Sequence, residues 1–476
     1  MRPFGLATVI FLWAVSHLAV GLGLSTAWAQ GLPGDPFAQP EEVNKRTLPG
    51  DPFGQPEEVK TPSLPGDPLG QPGLSPVTPD KESFFSELVY GGYLESRNRF
   101  SLTGREPVSL SLTAFGEITA KKESWSFYGS LKGVFEGAAR SWPGNHKAGW
   151  AEIYELYVTY DSPRVDFWLG RKIHRWGAAD GYNPLDLFNP MDSRNPIAQA
   201  SLINRVPQWM AGAAWSFGAI SLEAIVLPTA GVVAMPEPGS PWEPKAYQEL
   251  RRLRKAGFLS LDRQGPPNRW FRDGEYGLRL SSTLGGNDIS LMAYRGFGDE
   301  PLFRLELGPT GLKAQGEYAR YTAYGLAWAR GMGAGTFRGE VVLKPDFPAQ
   351  GPVAWAKTRL IQAVVGVDHD FAGLVYVNAQ GFIESLQKTR SSTKETRYGL
   401  TYEARVKWAR EALEVGGRGQ VYTTGEGALN EAFLEWRLDD RWKLSIGGLW
   451  FSGSKEGSLG QYRENDCLYL NARFSF

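Results

Sequence analysis

Apolar and polar residues alternate with a period of two from Ser83 to the end of the chain. Between residues 398 and 408, aromatic and aliphatic residues alternate with Thr, Glu, Arg and Lys. The last segment, Leu468 to Phe476, has Leu, Ala or Phe at every second position, with Tyr, Asn, Arg and Ser between them. Because successive side chains of a strand point to opposite faces, these segments predict strands with one apolar and one polar face.

Eighteen such segments can be marked, and their spacing indicates how they connect. They begin near residues 86, 108, 124, 151, 164, 207, 218, 273, 287, 321, 334, 359, 373, 396, 411, 428, 441 and 467. Short turns of two to five residues alternate with connections that are mostly long. Short turns at one end, long loops at the other and an even strand count that leaves no free edge are typical of transmembrane barrels.

We therefore expect an all-β fold, a single transmembrane antiparallel β-barrel of about 18 strands spanning residues 83–476. The range is 16–20 strands, because residues 302–319 could form one more hairpin. Residues 244–257, rich in Glu, Leu, Arg and Ala and ending on Gly, predict a helix outside the barrel or over its mouth.

Two segments of different character precede the predicted barrel. Residues 1–29 combine a basic start, a long apolar run and the sequence Ala27-Trp28-Ala29, which predicts a signal peptide cleaved before Gln30. Residues 30–82 carry a Pro-rich repeat with a period of 16 residues. So many prolines and so few apolar residues cannot form a packed core, and we expect a disordered periplasmic arm.

The arm has two interpretations. It can act as a spacer, or each Leu-Pro-Gly-Asp-Pro-Phe unit in residues 31–80 can dock a periplasmic protein or the cell wall, with Phe37 and Phe53 as anchors. Deleting the repeats and finding every interaction unchanged would exclude the docking hypothesis.

Composition agrees with a barrel and excludes several other classes. Hydrophobic residues are only 42% of the chain, yet it contains 57 Gly, 17 Trp, 19 Tyr and 25 Phe. The 51 basic and 51 acidic residues cancel, so nothing suggests a nucleic-acid partner. The single Cys467 allows no intramolecular disulfide, no Cys-x-x-Cys-His motif is present, and we expect no cofactor and no bound metal.

The most unusual connection follows the fifth predicted strand. It contains two Asn-Pro-x-Asp units, at residues 183–186 and 189–192, which predict consecutive ordered turns. One hypothesis is that this loop bends inward and narrows a pore; the other is that it pins the barrel wall. In the first case its charged residues form a gate. The candidates are Arg171, Lys172, His174, Arg175, Asp180, Asp186 and Asp192.

The same stretch, together with its Trp-Gly pair, resembles an uncharacterised family of proteobacterial outer-membrane β-barrel proteins of the porin type. It is similar, more loosely, to the alginate-export porins. The final strand also resembles the terminal strands of bacterial outer-membrane barrels, which end on Phe and are recognised by the barrel-assembly machinery. These resemblances imply a Gram-negative outer membrane, a lipid environment, and Phe474 and Phe476 as the assembly signal.

The alternation also predicts which charged residues line the lumen, because a charge facing lipid costs about 2–4 kcal/mol at the bilayer midplane. Basic residues outnumber acidic ones in this set, which favours anions unless the charges pair across strands. The candidates are Arg338, Glu340, Arg397, Glu403, Arg405, Lys407, Arg418, Glu435, Arg437 and Arg473.

An enzyme is not expected. The chain has four His residues, and no His-x-x-x-His or Gly-x-Ser-x-Gly motif is present. The sequence therefore predicts a porin-like outer-membrane channel for small polar or anionic solutes. Two alternatives stay open: a barrel that sheathes a periplasmic partner such as an electron-carrying cytochrome, and a pore that exports polysaccharide.

Overall fold

The computed structural model describes residues 76–77, 85–102, 107–137, 149–194, 205–263, 265–308, 311–351, 353–387, 395–409 and 411–476. The predicted signal peptide and almost all of the predicted arm lie outside these residues, so both stay predictions. Among the described residues, no helix is long and apolar enough to cross a membrane.

The described part of the chain is mostly strand. Its strands are β1 (Pro76–Val77), β2 (Glu87–Ser101), β3 (Pro107–Lys122), β4 (Trp125–Gly137), β5 (Gly149–Tyr160), β6 (Val165–Lys172), β7 (Gln208–Phe217), β8 (Ile220–Leu227), β9 (Leu259–Arg263), β10 (Glu275–Leu284), β11 (Asn287–Phe297), β12 (Leu302–Gly308), β13 (Gly311–Glu317), β14 (Arg320–Met332), β15 (Gly335–Ala349), β16 (Ala356–Phe371), β17 (Val375–Leu386), β18 (Glu395–Trp408), β19 (Leu413–Tyr422), β20 (Ala428–Arg437), β21 (Trp442–Ser452) and β22 (Cys467–Ser475). One α-helix, α1, spans Lys245–Lys255.

Eighteen of these strands form a closed antiparallel barrel. Successive barrel strands pair with each other, with β8 joined to β10 and β11 to β14. The barrel closes where β22 pairs with β2 from Tyr93–Ser475 to Ser101–Cys467. Two further hydrogen bonds, from Gly92 N to Phe476 O and from Phe476 N to Gly92 O, both 3.0 Å, extend this seam to the last residue.

The predicted strand count is confirmed, and each barrel strand begins within three residues of its predicted start. The additional hairpin expected in residues 302–319 exists as β12 and β13, but it is not part of the wall. It pairs instead with β9 to form a small three-stranded sheet among the loops. The predicted helix forms as α1, in the connection between β8 and β10.

The two ends of the barrel differ in the way sequence spacing predicts. One end has connections of two to four residues, such as the turn between β7 and β8; we call it the short-turn end. The other carries the long connections, including those after β6 and β8, and is called the long-loop end. Because the strand count is even, β2 begins and β22 ends at the short-turn end.

Burial alternates along the strands. On β22, Leu468 and Leu470 expose 47% and 49% of their surface outward, whereas Cys467 and Tyr469 are buried inside. Aromatic residues surround the outer face at the short-turn end, where the ring of Trp442 lies 5.0 Å from that of Phe474. An apolar outer face flanked by aromatic residues is what a lipid bilayer requires of a barrel.

A glycine at the seam yields a test of the closure. A Cβ added at Gly92 would lie 2.4 Å from Phe115 O and 2.9 Å from Phe476 Cζ, whereas one added at its cross-strand partner Gly116 would have nothing within 4 Å. We expect Gly92→Val to lower the free energy of unfolding by about 1–3 kcal/mol through this overpacking. Urea-dependent unfolding in detergent micelles measures it. Gly116→Val is the matched control, and an equal loss in both variants would contradict the seam explanation.

Candidate functional site: a loop inside the barrel

The connection after β6 enters the barrel. Residues 173–194, called the inner loop below, leave the wall at β6 and reach strands on nearly the opposite side. Near its start, Ile173 N donates to the Glu155 carboxylate on β5 at 2.7 Å. Farther along, Gly181 N donates to Gln380 Oε1 on β17 at 3.0 Å. The loop therefore crosses the lumen instead of extending away from the barrel mouth.

An apolar cluster holds the first part of the inner loop. Trp176, Leu185 and Phe188 are fully buried against inward-facing wall residues. The wall leaves room for them at Gly277, where an added Cβ would lie 2.4 Å from Phe188 Cζ and 2.6 Å from Trp176 Cη2. The wall side of the cluster comprises Met210, Ile225, Leu227, Met292, Tyr294, Tyr321, Ala323, Ala327 and Val342.

A buried carboxylate on the wall contacts three donor groups beside this cluster. Glu223 on β8 accepts from Trp176 Nε1 at 2.7 Å and lies 2.8 Å from Arg279 Nε. His174 Nε2 lies 3.1 Å from its second oxygen, and the imidazole stacks on Trp168 with a centroid distance of 5.2 Å. Because Glu223 is buried, these contacts replace the water that a carboxylate otherwise requires.

Glu340 on β15 holds the loop at the middle of its path. Its Oε1 accepts hydrogen bonds from Ala178 N and Ala179 N at 2.5 and 2.6 Å. The preceding Gly177 has φ of +93°, and a Cβ there would lie 2.6 Å from the same oxygen. The Trp-Gly pair of the sequence motif is thus explained, because only glycine allows this turn against the wall.

Two further polar contacts fix the tip. Asp180 Oδ2 accepts from Arg338 on β15 at 2.6 Å and from Asn378 on β17 at 2.9 Å. Arg338 also contacts Asp368 on β16. Burial raises the pKa of the Asp180 carboxyl, and the neighbouring Arg338 guanidinium opposes that shift. The tip therefore carries a charge that the wall compensates.

Tyr182 forms the last contact with the far wall. Its ring stacks on Phe382 at a centroid distance of 4.2 Å. Its hydroxyl donates to Glu384 at 2.5 Å and accepts from Gln362 Nε2 at 2.6 Å. Sequence reasoning missed this group. The period of two places Gln362 and Glu384 on the inward face, but no sequence signal pairs them with a residue some 200 positions earlier.

The first Asn-Pro-x-Asp unit forms an ordered turn, as predicted, whereas residues 189–192 form a bend followed by isolated β-bridges. Asn183 Oδ1 accepts from Leu185 N at 3.0 Å, and its Nδ2 donates to Trp176 O. Asn189 Oδ1 accepts from His174 N at 2.8 Å, so it joins the two ends of the loop. Both amides act on the backbone, which is the role the motif suggested.

The remaining candidate gate residues lie at the root of the loop and are also paired. Asp186, whose side chain is fully buried, lies 3.3 Å from Arg175 and 2.8 Å from Arg205. The other contacts are Arg171 with Glu152 at 3.2 Å, Asp192 with Arg194 at 2.6 Å, and Lys172 over the Tyr157 ring at 4.7 Å. The loop thus narrows the lumen, and the contacts of its charged residues hold it in that position.

A second connection reaches the lumen from the long-loop end. Trp242, between β8 and α1, is buried in an apolar cluster on the wall opposite the inner-loop cluster. Asn465 Nδ2 donates to Pro241 O at 2.7 Å and helps to hold it. The wall residues of this cluster are Val108, Phe433, Leu449, Phe451, Cys467 and Tyr469. Sequence analysis predicted the adjacent helix but gave no signal for the insertion of Trp242.

The predicted lumen residues occupy inward positions, and most of them pair with an opposite charge on the same strand, on a neighbouring strand or in an adjacent turn. The pairs are Arg405 with Glu403 at 3.2 Å, Arg418 with Glu431 at 2.6 Å, Lys443 with Glu435 at 2.6 Å, Arg397 with Glu395 at 2.7 Å and Lys407 with Glu411 at 3.4 Å. Arg473 lies over the Tyr93 ring at 3.8 Å, and Arg437 is exposed near the short-turn end.

Three inward lysines differ from this pattern. Lys132, Lys172 and Lys344 each lie over two aromatic rings, and within the described part of the chain none of them forms an ion pair. Aromatic faces attract a cation without cancelling its charge. Lys132 Nζ lies 4.8 Å from the Tyr154 ring centroid, and this lysine is only partly buried, whereas Lys344 is buried.

The closed sheet, its apolar outer face and its polar, loop-narrowed interior define a transmembrane β-barrel. No family model matches the chain, and no curated protein matches it. The predicted resemblance to a proteobacterial barrel family and to alginate-export porins therefore stays a prediction.

Several solved structures resemble the chain at very low sequence identity. OccAB4 of Acinetobacter baumannii is 10% identical over 83% of this chain and 99% of that chain, with a TM-score of 0.48. OpdK of Pseudomonas aeruginosa, in a structure with vanillate, is 7% identical over 83% and 100%, with a TM-score of 0.46. The outer membrane channel DcaP of Acinetobacter baumannii is 8% identical over 82% and 97%, with a TM-score of 0.41.

The apolar cluster predicts how the inner loop is held. Trp176→Ala removes a buried ring, a change that typically costs about 3–5 kcal/mol, and should release the loop from the wall. We expect faster proteolytic cleavage between residues 173 and 194, mapped by mass spectrometry on the protein in detergent. Trp270→Ala, at a Trp that is 73% exposed, is the control and should leave cleavage unchanged. Unchanged protection in Trp176→Ala would show that the polar contacts suffice.

Proposed function

We propose that this protein is an outer-membrane channel through which small polar solutes diffuse, with a mild preference for anions. The observation that carries the proposal is the inner loop, which narrows a polar-lined barrel. A channel needs an aqueous path, a constriction and a charge pattern. The inner loop is a candidate for the constriction, and the inward charged residues are candidates for the charge pattern.

The proposed orientation places the short-turn end in the periplasm and the long-loop end outside the cell. Short periplasmic turns and long extracellular loops are the general rule for outer-membrane barrels. In this orientation, the N-terminal arm lies in the periplasm and the inner loop enters from the extracellular side. Phe474 and Phe476 then stand at the periplasmic end of the last strand, in a position to be read during assembly.

Anion preference is supported by the lysines, not by a simple excess of basic residues. The inward arginines are mostly neutralised by carboxylates on adjacent strands, as for Arg418 with Glu431 at 2.6 Å. Within the described part of the chain, the three lysines over aromatic rings have no carboxylate partner. An uncompensated cation in a narrow, low-dielectric passage attracts anions far more strongly than one in bulk water.

The structure supports a channel better than either alternative. A sheath for a folded partner needs a free lumen, but Trp176, Tyr182 and Trp242 place the chain's own loops there. A polysaccharide export pore predicts a continuous basic track, whereas the inward arginines alternate with carboxylates. If the purified barrel failed to conduct, the sheath and the export pore would again be hypotheses for its function.

Single-channel conductance of the refolded mature protein in a planar bilayer tests the proposal. We expect steady ohmic conductance and, in a salt gradient, a zero-current potential of the sign that denotes anion preference. A folded barrel that never conducts would overturn the channel function.

A charge variant tests the origin of selectivity. Lys132→Gln should shift the zero-current potential toward cations, because it removes an inward charge that no carboxylate cancels. Lys122→Gln makes the same charge change at an outward position beside a short turn and should leave the potential unchanged. Equal shifts in the two variants would assign selectivity to overall charge and contradict the assignment to Lys132.

A further inference from the structure

One part of the outer wall carries basic side chains where a membrane protein normally places apolar ones. Arg295 on β11 and Arg320 on β14 alternate with the buried, inward-facing Tyr294 and Tyr321, so they point outward. Both lie near the long-loop end of their strands. Arg272, in the connection that leads to β10, is exposed beside them. These three arginines are called the outer basic patch.

Contacts among these residues make the patch continuous. Arg320 Nη2 donates to Arg272 O at 2.8 Å, and its guanidinium lies 4.4 Å from the Phe297 ring centroid. Arg295 Nη1 donates to Thr322 Oγ1 at 2.9 Å. Among the described residues, none of the three arginines pairs with a carboxylate.

The acidic residues around the patch already have partners. Asp346 Oδ1 accepts from Thr322 N at 2.8 Å, and its Oδ2 lies 3.6 Å from Lys357 Nζ. Asp273 is buried and is held by Arg269 at 3.0 Å. The patch therefore keeps the net positive charge of its three arginines.

Exposed aromatic residues stand next to the arginines. Trp270 and Phe271 expose 73% and 59% of their surface, and Tyr276 donates from its hydroxyl to Phe271 O at 2.6 Å. Basic and aromatic side chains together are typical of the level at which a protein meets lipid headgroups.

The patch is confined to one side of the barrel. Near the long-loop ends of β2, β4 and β22, the outward residues are Phe100, Phe135 and Leu468. A charge is costly toward the bilayer midplane but not at the interface, so the arginines must lie at headgroup level. A cluster on one side alone indicates a particular ligand there rather than a general belt.

We propose that the outer basic patch binds the phosphate groups of a phosphorylated glycolipid of the outer leaflet, lipopolysaccharide, while Trp270, Phe271 and Tyr276 contact its sugar and acyl portions. Arginine forks match phosphate oxygens in pairs, and three uncompensated guanidinium groups suit a ligand with several negative charges. The inference rests on the proposed function in one respect: the long-loop end must face the cell exterior.

The test compares lipid binding by the full-length wild-type protein and by Arg272→Gln/Arg295→Gln/Arg320→Gln. Binding of purified lipopolysaccharide in detergent is measured by native mass spectrometry, alongside the same lipid after enzymatic removal of its phosphates. The triple variant should bind lipopolysaccharide about tenfold more weakly or worse, since each basic residue contributes separately to the attraction. The wild-type protein should bind the dephosphorylated lipid equally weakly.

The matched control is Arg164→Gln/Arg330→Gln/Arg441→Gln, which removes the same charge at the short-turn end and should bind like the wild type. Undiminished binding by the patch variant, or full binding of the dephosphorylated lipid, would overturn the proposal. If inorganic phosphate alone competes completely, the ligand of the patch is free phosphate, and the assignment to a glycolipid is wrong. The heat-dependent gel mobility of each variant verifies folding, and Arg320→Gln alone gives a milder variant should the triple one not fold.

Conductance separates this inference from the proposed function. The patch variant should conduct like the wild type, because its three arginines face away from the lumen. If the wild-type barrel binds lipopolysaccharide but never conducts, the proposed channel function is wrong and the proposed lipid-binding patch is retained. If the barrel conducts but its binding of lipopolysaccharide does not depend on the phosphates, the lipid-binding proposal is wrong and the channel function is retained.

Discussion

The fold depends on one constraint, the need to satisfy every backbone N–H and C=O group that faces lipid. A sheet with a free edge cannot meet it, and only closure does. In this chain, closure comes from the pairing of β2 with β22, continued by the two hydrogen bonds between Gly92 and Phe476. Once the sheet is closed, outward positions at the level of the acyl chains must be apolar, and charges at that level must face inward. The ion pairs along the inner wall follow from this, because the charges share a confined space.

The inner loop exploits that confined space. Its apolar residues pack where the wall is apolar, against Met292, Tyr294 and Val342, and its polar tip reaches Arg338, Glu340 and Gln380. Charges such as Asp180 have a partner on the wall, and others, such as Arg175 and Asp186, pair within the loop, so removing one partner leaves the other uncompensated. Holding the loop by both kinds of contact gives a constriction of fixed shape. In the function proposed above, solutes are then sorted by a static opening and not by a moving gate.

The wall was predictable because its signal is local. Period-two alternation depends only on neighbouring residues, and it located each barrel strand within three residues of its start. The turn around Asn183 was also local and was predicted, whereas the contacts of Asn189 reach residues 15 or more positions away and were not. Contacts such as Tyr182 with Glu384, or Trp242 with Phe451, join residues about two hundred positions apart. No periodicity encodes these contacts. The count of inward charges was also a poor guide to anion preference, because carboxylates such as Glu431 and Glu435 pair with much of the basic excess.

The path of the inner loop has a consequence for the order in which the barrel assembles. The loop belongs to β6, the fifth barrel strand, but its tip binds side chains on β15 and β17, which are made much later. Until those strands arrive, Trp176 and Phe188 have only the early half of their pocket, and Asp180 has no counter-ion. After β22 joins β2, the interior is enclosed by a continuous wall. The tip can therefore dock only once β15 and β17 are in place, and the docked loop then ties the early and late strands together.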